Sequence, residues 1–168
     1  NNSFVGLGES DRVIIGGGLG PASPTIVEFY GNIGVDFAFL DLEHSGFSAC
    51  NSPKLEEFTA RAELAGVDLL VRLPSGDASD HPQLIRKVLD TGVRNILIPR
   101  IEEAEEVRTA VEAARYQYDG GLGERGIGGG RATAYGSGMD SAYTDNEDES
   151  VTVGAMTENT TAMATPDE

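Results

Sequence analysis

Three ionisable side chains fall within four residues at Asp41-Leu42-Glu43-His44, directly after the apolar run Phe37-Ala38-Phe39-Leu40. Two carboxylates and an imidazole at that spacing offer hard oxygen donors for a divalent cation and a group that exchanges protons near neutral pH. Charge is costly to bury unless it is paired or ligated, so the cluster belongs at an open strand end, in a polar site, or both. The bland alternative is a solvated strand end followed by a turn at Ser45-Gly46. Two further residues stand in similar positions: Arg72 near the end of the apolar stretch from Val67 to Leu73, and Glu158 just beyond Val151 to Met156. Glu158 with Asp41 and Glu43 could hold Mg²⁺ or Mn²⁺ through oxygens and waters. His44 could then move a proton, and Arg72 could hold an enolate or carboxylate oxygen, or merely pair with Glu43.

The elements that must position these residues alternate. Arg12 to Ile15 reads as a strand that breaks into Gly16 to Gly20 and Pro21, and Ser23-Pro24 starts a helix with a side-chain cap that runs to Tyr30 and stops at Gly31. The Phe37 to Leu42 strand follows. Ser52-Pro53 starts a second helix in the same manner, with Leu55, Phe58, Ala62 and Leu64 on or near one face and an end at Gly66. Val67 to Leu73 is the third strand, His81 to Thr91 a helix closed by Gly92, Asn95 to Pro99 the fourth strand and Glu103 to Ala114 a fourth helix. Arg115 to Ser150 is Gly-rich and acidic, too polar for a core and too long for a plain connection. Val151 to Met156 is the fifth strand, and Thr160 to Glu168 reads as the start of another helix. Five strands alternating with four helices at this spacing imply parallel strands with right-handed crossovers, an α/β fold. Such sheets and barrels place their sites at the carboxyl ends of the strands, where the polar residues gather.

Several chemistries are excluded. Counting from Gly16, a Gly-x-Gly-x-x-Gly dinucleotide fingerprint needs glycine where Pro21 stands. Gly120 to Gly130 is no Walker loop, because no Gly-Lys-Ser/Thr follows; it is either a mobile loop or a carrier of Arg125 and Arg131 toward an anion. Schiff-base catalysis needs a desolvated lysine in the site. Lys54 and Lys87, the two lysines, both fall on helices.

Composition adds bounds. A 168-residue chain with 12 basic and 28 acidic residues carries a net charge of −16, which disfavours nucleic acid and anionic membranes as partners. An acidic surface that is nearly free of lysine resembles the proteins of salt-accumulating microbes, halophiles in which molar salt screens self-repulsion. Cys50 is the single cysteine, so no intrachain disulfide is expected. Without a signal peptide or a long apolar run, a cytoplasmic location is the expectation.

Taken in order, Phe37 to His44, Val71-Arg72-Leu73-Pro74, Val88-Leu89-Asp90-Thr91-Gly92, Ile96-Leu97-Ile98-Pro99, Ala113-Ala114-Arg115-Tyr116 and Arg125-Gly126-Ile127-Gly128 resemble the HpcH/HpaI family. These are metal-dependent class II pyruvate aldolases, including the 2-dehydro-3-deoxyglucarate and 4-hydroxy-2-oxoacid aldolases. The resemblance spans about Arg12 to Met163. It implies a TIM-type (β/α)₈ barrel, of which residues 1–168 would supply about the first five strands and four to five helices as one C-terminally incomplete domain. It implies a divalent metal (Mg²⁺, Mn²⁺ or Co²⁺) with Glu158 as direct ligand, and Asp41 and Glu43 organising metal-bound water. Arg72 would stabilise the enolate, and His44, oriented by Asp90, would be the acid/base. Arg125, Gly126 and Gly128 would lie on a substrate loop. The implied partners are a small 2-oxoacid, an aldehyde and further copies of the chain, as a trimer or hexamer. A citrate-lyase-like acyl-CoA lyase and a non-catalytic barrel acting as a binding or assembly subunit are the alternatives.

Overall fold

Glycine forms the first strand. The computed structural model describes residues 2–20, 23–48, 51–76, 81–118 and 121–164, and β1 within it is Gly16–Gly18, paired with Phe37 to Phe39. The expected strand at Arg12 to Ile15 is not one: Val13 and Ile15 are exposed, and the ladder is reached only at the Ile15 carbonyl, which accepts from Asp36 N–H at 2.8 Å. The reason is steric. A Cβ on Gly16 would sit 2.2 Å from the Phe37 ring, and one on Gly17 2.4 Å from the Tyr30 ring, so the aromatic rings occupy the space that side chains on β1 would need.

Helix α1 (Pro24–Ile33) follows, then β2 (Phe37–Asp41), α2 (Ser52–Ala65), β3 (Asp68–Arg72), α3 (His81–Asp90), β4 (Asn95–Ile98) and α4 (Ala104–Ala114). Two helix starts differ from the sequence reading. Ser23 makes no side-chain cap, and α2 is capped by Asn51, whose side chain accepts from Lys54 N–H. Gly31 does not stop α1. The helix continues to a left-handed Gly34, and Gly31 is where α1 meets α2 so closely that a Cβ would lie 2.5 Å from the Ala65 carbonyl oxygen. On α2 the buried stripe is Leu55, Phe58, Thr59 and Ala62, whereas Leu64 is exposed because it falls off the 3.6-residue stripe.

After α4 the acidic, Gly-rich stretch is folded. It holds an antiparallel hairpin of β5 (Gln117–Tyr118) and β6 (Gly121–Leu122), a 3₁₀ turn at Arg131–Gly136 and helix α5 (Tyr143–Ser150), and it buries Thr133, Tyr143 and Glu147. β7 (Thr152–Ala155) and α6 (Thr160–Ala164) complete the described chain, α6 starting where Asn159 Oδ1 accepts from Ala162 N–H at 2.8 Å. Cys50, Pro21, Gly120 and the last four residues of the expected final helix lie outside the described residues.

The main sheet has the order β1-β2-β3-β4-β7, all neighbours parallel, as the alternation of elements predicts. Ala38, Leu40, Leu69, Val71, Ile96 and Ile98 point to the helical layer and are buried there. The alternate residues Phe37, Phe39, Leu70 and Leu97 line the other face and are half-buried. Helices cover one face, strand crossovers run one way, and each strand's carboxyl end opens on the same rim.

Candidate active site

Parallel register places Asp41, the last residue of β2, beside Arg72, the last residue of β3. Arg72 grips Asp41 with two donors, Nε to Oδ1 at 2.9 Å and Nη2 to Oδ2 at 2.5 Å, while Nη1 lies 3.1 Å from Glu43 Oε2. The forked bond holds the Asp41 carboxyl below the usual carboxylate range, against the opposing effect of burial. The same bond raises the Arg72 guanidinium, and the Arg72 carbon lies 5.8 Å from the Phe39 ring centroid. Asp41 also shapes the loop behind it: Oδ1 accepts the backbone N–H of Glu43 at 2.9 Å and of His44 at 3.3 Å, an Asx-type turn that folds both residues back over the rim. Glu43 is thereby sunk, with 7% of its side chain exposed, and His44 stands out at 71% with Nε2 3.6 Å from Glu43 Oε2.

Glu158 reaches the same rim from the far side of the sheet. β7 pairs with β4 up to Ala155 opposite Ile98, and just past that point Glu158 Oε1 accepts the backbone N–H of Arg100 at 2.9 Å. Arg100 has a left-handed backbone, φ 57°, uncommon for a residue with a side chain. The Glu158 charge is the smallest of the influences that raise the Arg72 guanidinium, after Asp41 and Glu43. Arg100 is the site residue that sequence reasoning missed, since neither its type nor its place after Pro99 signals a left-handed turn.

The chain does not bring the remaining candidates to this rim. Asp90 ends α3, so it lies at the amino ends of the strands, opposite His44. The expectation that Asp90 orients His44 therefore does not hold within one chain. Arg125, Gly126 and Gly128 are at the same amino end: Glu124 N–H bonds the Glu112 carbonyl at the end of α4, Gly128 lies against Asp90, and Arg131 pairs with Glu63 near the end of α2 at 2.5 Å. The helices deliver their carboxyl ends there, and the stretch after α4 stays with them instead of crossing to the rim. Arg125 is not presented to an anion. Its side chain is fully buried, 4.7 Å over the Tyr116 ring, with Glu147 Oε2 3.9 Å away and no hydrogen bond to any described residue. Burial raises the Asp90 carboxyl, and the Arg125 charge offsets part of that rise.

Among the described residues no three His, Cys, Asp or Glu side chains are gathered as a metal cage. The donor chemistry at the rim suits a hard ion all the same. Mg²⁺ and similar ions are held by one or two carboxylates, with water and substrate oxygens completing the shell, and only one Glu158 oxygen is engaged by the Arg100 N–H.

A parallel β/α scaffold with carboxylate, imidazole and guanidinium on its carboxyl rim defines a TIM-barrel type of protein, here as five of its strands. A family model described as HpcH/HpaI aldolase/citrate lyase matches residues 19–165, and the chain belongs to that family. It is 35% identical over 130 residues to the hydroxypyruvate/pyruvate aldolase of Paraburkholderia phytofirmans, covering 76% of this chain and 48% of that protein. It is 30% identical over 162 residues to the 4-hydroxy-2-oxovalerate aldolase of Novosphingobium aromaticivorans, covering 96% of this chain and 58% of the relative. In three dimensions it is similar to an HpcH/HpaI aldolase/citrate lyase family protein from Burkholderia cenocepacia, with a TM-score of 0.82 and 25% identity over 98% of this chain and 62% of that one. The chain spans about half the length of the curated relatives it matches.

Proposed function

We propose that the protein carrying this chain is a class II pyruvate aldolase, a carbon–carbon lyase that cleaves a 2-oxo-3-deoxy acid to pyruvate and an aldehyde. The observation that carries the proposal is the Arg72 fork on Asp41, with Glu43 beside it, at the carboxyl rim where Glu158 stands just past β7. His44, exposed at the rim, takes the proton of the substrate's 4-hydroxyl. The C3–C4 bond then breaks, its electron pair moving toward the 2-oxo oxygen, and the aldehyde leaves. Arg72, held rigid by two carboxylates, meets the charge that develops on that oxygen, and reprotonation at C3 gives pyruvate. Glu158 would hold a divalent cation, Mg²⁺ or Mn²⁺, with Asp41 and Glu43 ordering the water around it; the ion supplies Lewis acidity at the carboxylate and oxo group. The aldolase names of the relatives support aldol cleavage over an acyl-CoA lyase or a non-catalytic subunit.

The acidic surface supports a protein adapted to concentrated salt. No helix among the described residues is long and apolar enough to cross a membrane. Assembly as a homo-oligomer, trimer or hexamer, is part of the proposal and is read by light scattering.

The test is exchange of the pyruvate methyl protons for deuterium, followed by NMR with the protein in molar KCl. Exchange that EDTA abolishes and Mn²⁺ or Mg²⁺ restores is the expected result. Metal-independent exchange, or trapping of a pyruvate adduct on lysine by borohydride, overturns the proposal.

A further inference from the structure

Phe39 stands on the inner face of β2, two residues before Asp41, and alternation along the strand turns both side chains the same way. Its partner on β3 is Leu70, and Arg72 is the next residue of β3 on that face, so Phe39 and Arg72 are diagonal neighbours across the ladder. The two side chains meet: the Arg72 guanidinium carbon lies over the Phe39 ring, 5.8 Å from its centroid. On the other side Phe39 pairs with Gly18 of β1, where a Cβ would find nothing within 4 Å. Phe37, one step toward the amino end on the same face, is used differently. Its ring fills the space over Gly16 and meets Phe4 edge-on at 5.0 Å, whereas no aromatic ring among the described residues packs on Phe39. The Phe39 ring is thus half-buried, covered by a cation and open toward β1.

Asp41 takes the Nε and Nη2 donors of Arg72, and Glu43 lies 3.1 Å from Nη1, so the carboxylates hold the guanidinium by its edge. Each Nη nitrogen keeps a second hydrogen for an oxygen of the substrate. Those hydrogens reach that oxygen only if the plane does not tilt, and a further hydrogen-bonding partner would consume one of them. An aromatic face attracts the cation through its quadrupole, keeps water from one side of the plane and uses no N–H.

We propose that Phe39 is a positioning residue whose ring fixes the plane of the Arg72 guanidinium, so that its free Nη hydrogens point to the oxygen on which charge develops. This rests on the aldolase reading above and adds to it a residue that acts through Arg72.

The test uses Phe39→Leu, which keeps an apolar side chain without a ring, and Phe39→Tyr, which keeps the ring. The readouts, taken in molar KCl on the protein carrying this chain, are kcat and KM for exchange of the pyruvate methyl protons, the Tm, and hydrogen exchange of the Arg72 Nε–H with water. That signal is followed by NMR with isotope-labelled arginine and is assigned by its absence from Arg72→Lys. In Phe39→Leu the expected result is a kcat about fivefold lower, KM little changed and faster exchange of the Arg72 Nε–H. Phe39→Tyr is expected to keep both. A lower Tm with kcat and the Arg72 signal unmoved would make the ring interior packing only, and overturns the assignment. So does a rise in KM at constant kcat, which would make Phe39 a wall of the substrate pocket, and so does a Phe39→Tyr as impaired as Phe39→Leu. If the unsubstituted protein exchanges no pyruvate methyl protons, the aldolase reading falls and the role of Phe39 in it falls too, whatever the Arg72 signal does.

Discussion

Arg72 bonds Asp41 through two donors across the last rung of the β2–β3 ladder, and through its third nitrogen reaches Glu43. One guanidinium is thus shared between two carboxylates and offsets the repulsion between them at a half-buried rim. Removing it leaves Glu43, only 7% exposed, with no guanidinium beside it and only the exposed His44 imidazole nearby.

Arg72→Met is expected to destabilise the fold by about 3 kcal/mol, the usual penalty for stranding one partner of a shielded ion pair. Arg72→Lys keeps the charge and loses the fork, so most stability returns. Its pyruvate exchange still falls on the order of a hundredfold, since an ammonium cannot bridge both carboxylates and the oxyanion at once. Denaturant titrations beside exchange rates separate the two effects, and Arg72→Lys with full activity would show that the fork is only structural.

Acid should act on two aspartates in opposite directions. The folded pKa of Asp41 is lowered from 3.8, chiefly by the Arg72 bond, so its stabilisation is complete above 3.8 and is lost as pH falls through the lower folded value. The folded pKa of Asp90 is raised from 3.8 by burial, so its contribution is fully present below 3.8 and disappears as pH rises through the higher folded value. Asp41→Asn is expected to lower the Tm at neutral pH and flatten the acid limb. Asp90→Asn is expected to raise the Tm at neutral pH, with the gain vanishing below the ordinary aspartate range. Thermal melts from about pH 7 to pH 2 check both; a loss of stability in Asp90→Asn at neutral pH would mean that the charged form has a partner.

How much of this was legible in the sequence depends on which property signals it. β2, β3, β4 and β7 are short apolar runs with polar residues at or beyond their carboxyl ends, so hydropathy marks both the strands and the rim that holds Asp41, Arg72 and Glu158. β1 is three glycines with no hydropathy pattern, and the signal that explains it, the Phe37 and Tyr30 rings on its two sides, comes from other segments. Asp90 and Arg125 follow from resemblance, which names residues without saying which end of a barrel they occupy in one chain. That end is set by the direction of α3 and α4, legible in principle from the alternation itself. Arg100 left no trace in pattern or composition, because its distinction is a backbone angle.

Arg125 offers the clearest test of what holds the amino end together. Its guanidinium is fully buried, its nitrogens have no hydrogen-bond partner among the described residues, and the nearest acid, Glu147, already bonds Arg94 at 2.7 Å. The favourable contact is the Tyr116 ring, worth about 1 to 2 kcal/mol for a desolvated cation, against a larger desolvation penalty. Replacing a poorly satisfied buried charge with an apolar side chain of similar length should therefore help. Arg125→Met is expected to raise the unfolding free energy by about 1 kcal/mol, measured by urea titration of the protein carrying this chain. The carboxyl of Asp90, relieved of the Arg125 charge, should titrate still higher in that variant. A loss of about 2 kcal/mol or more instead would mean that the Arg125 nitrogens are satisfied by a group outside the described residues.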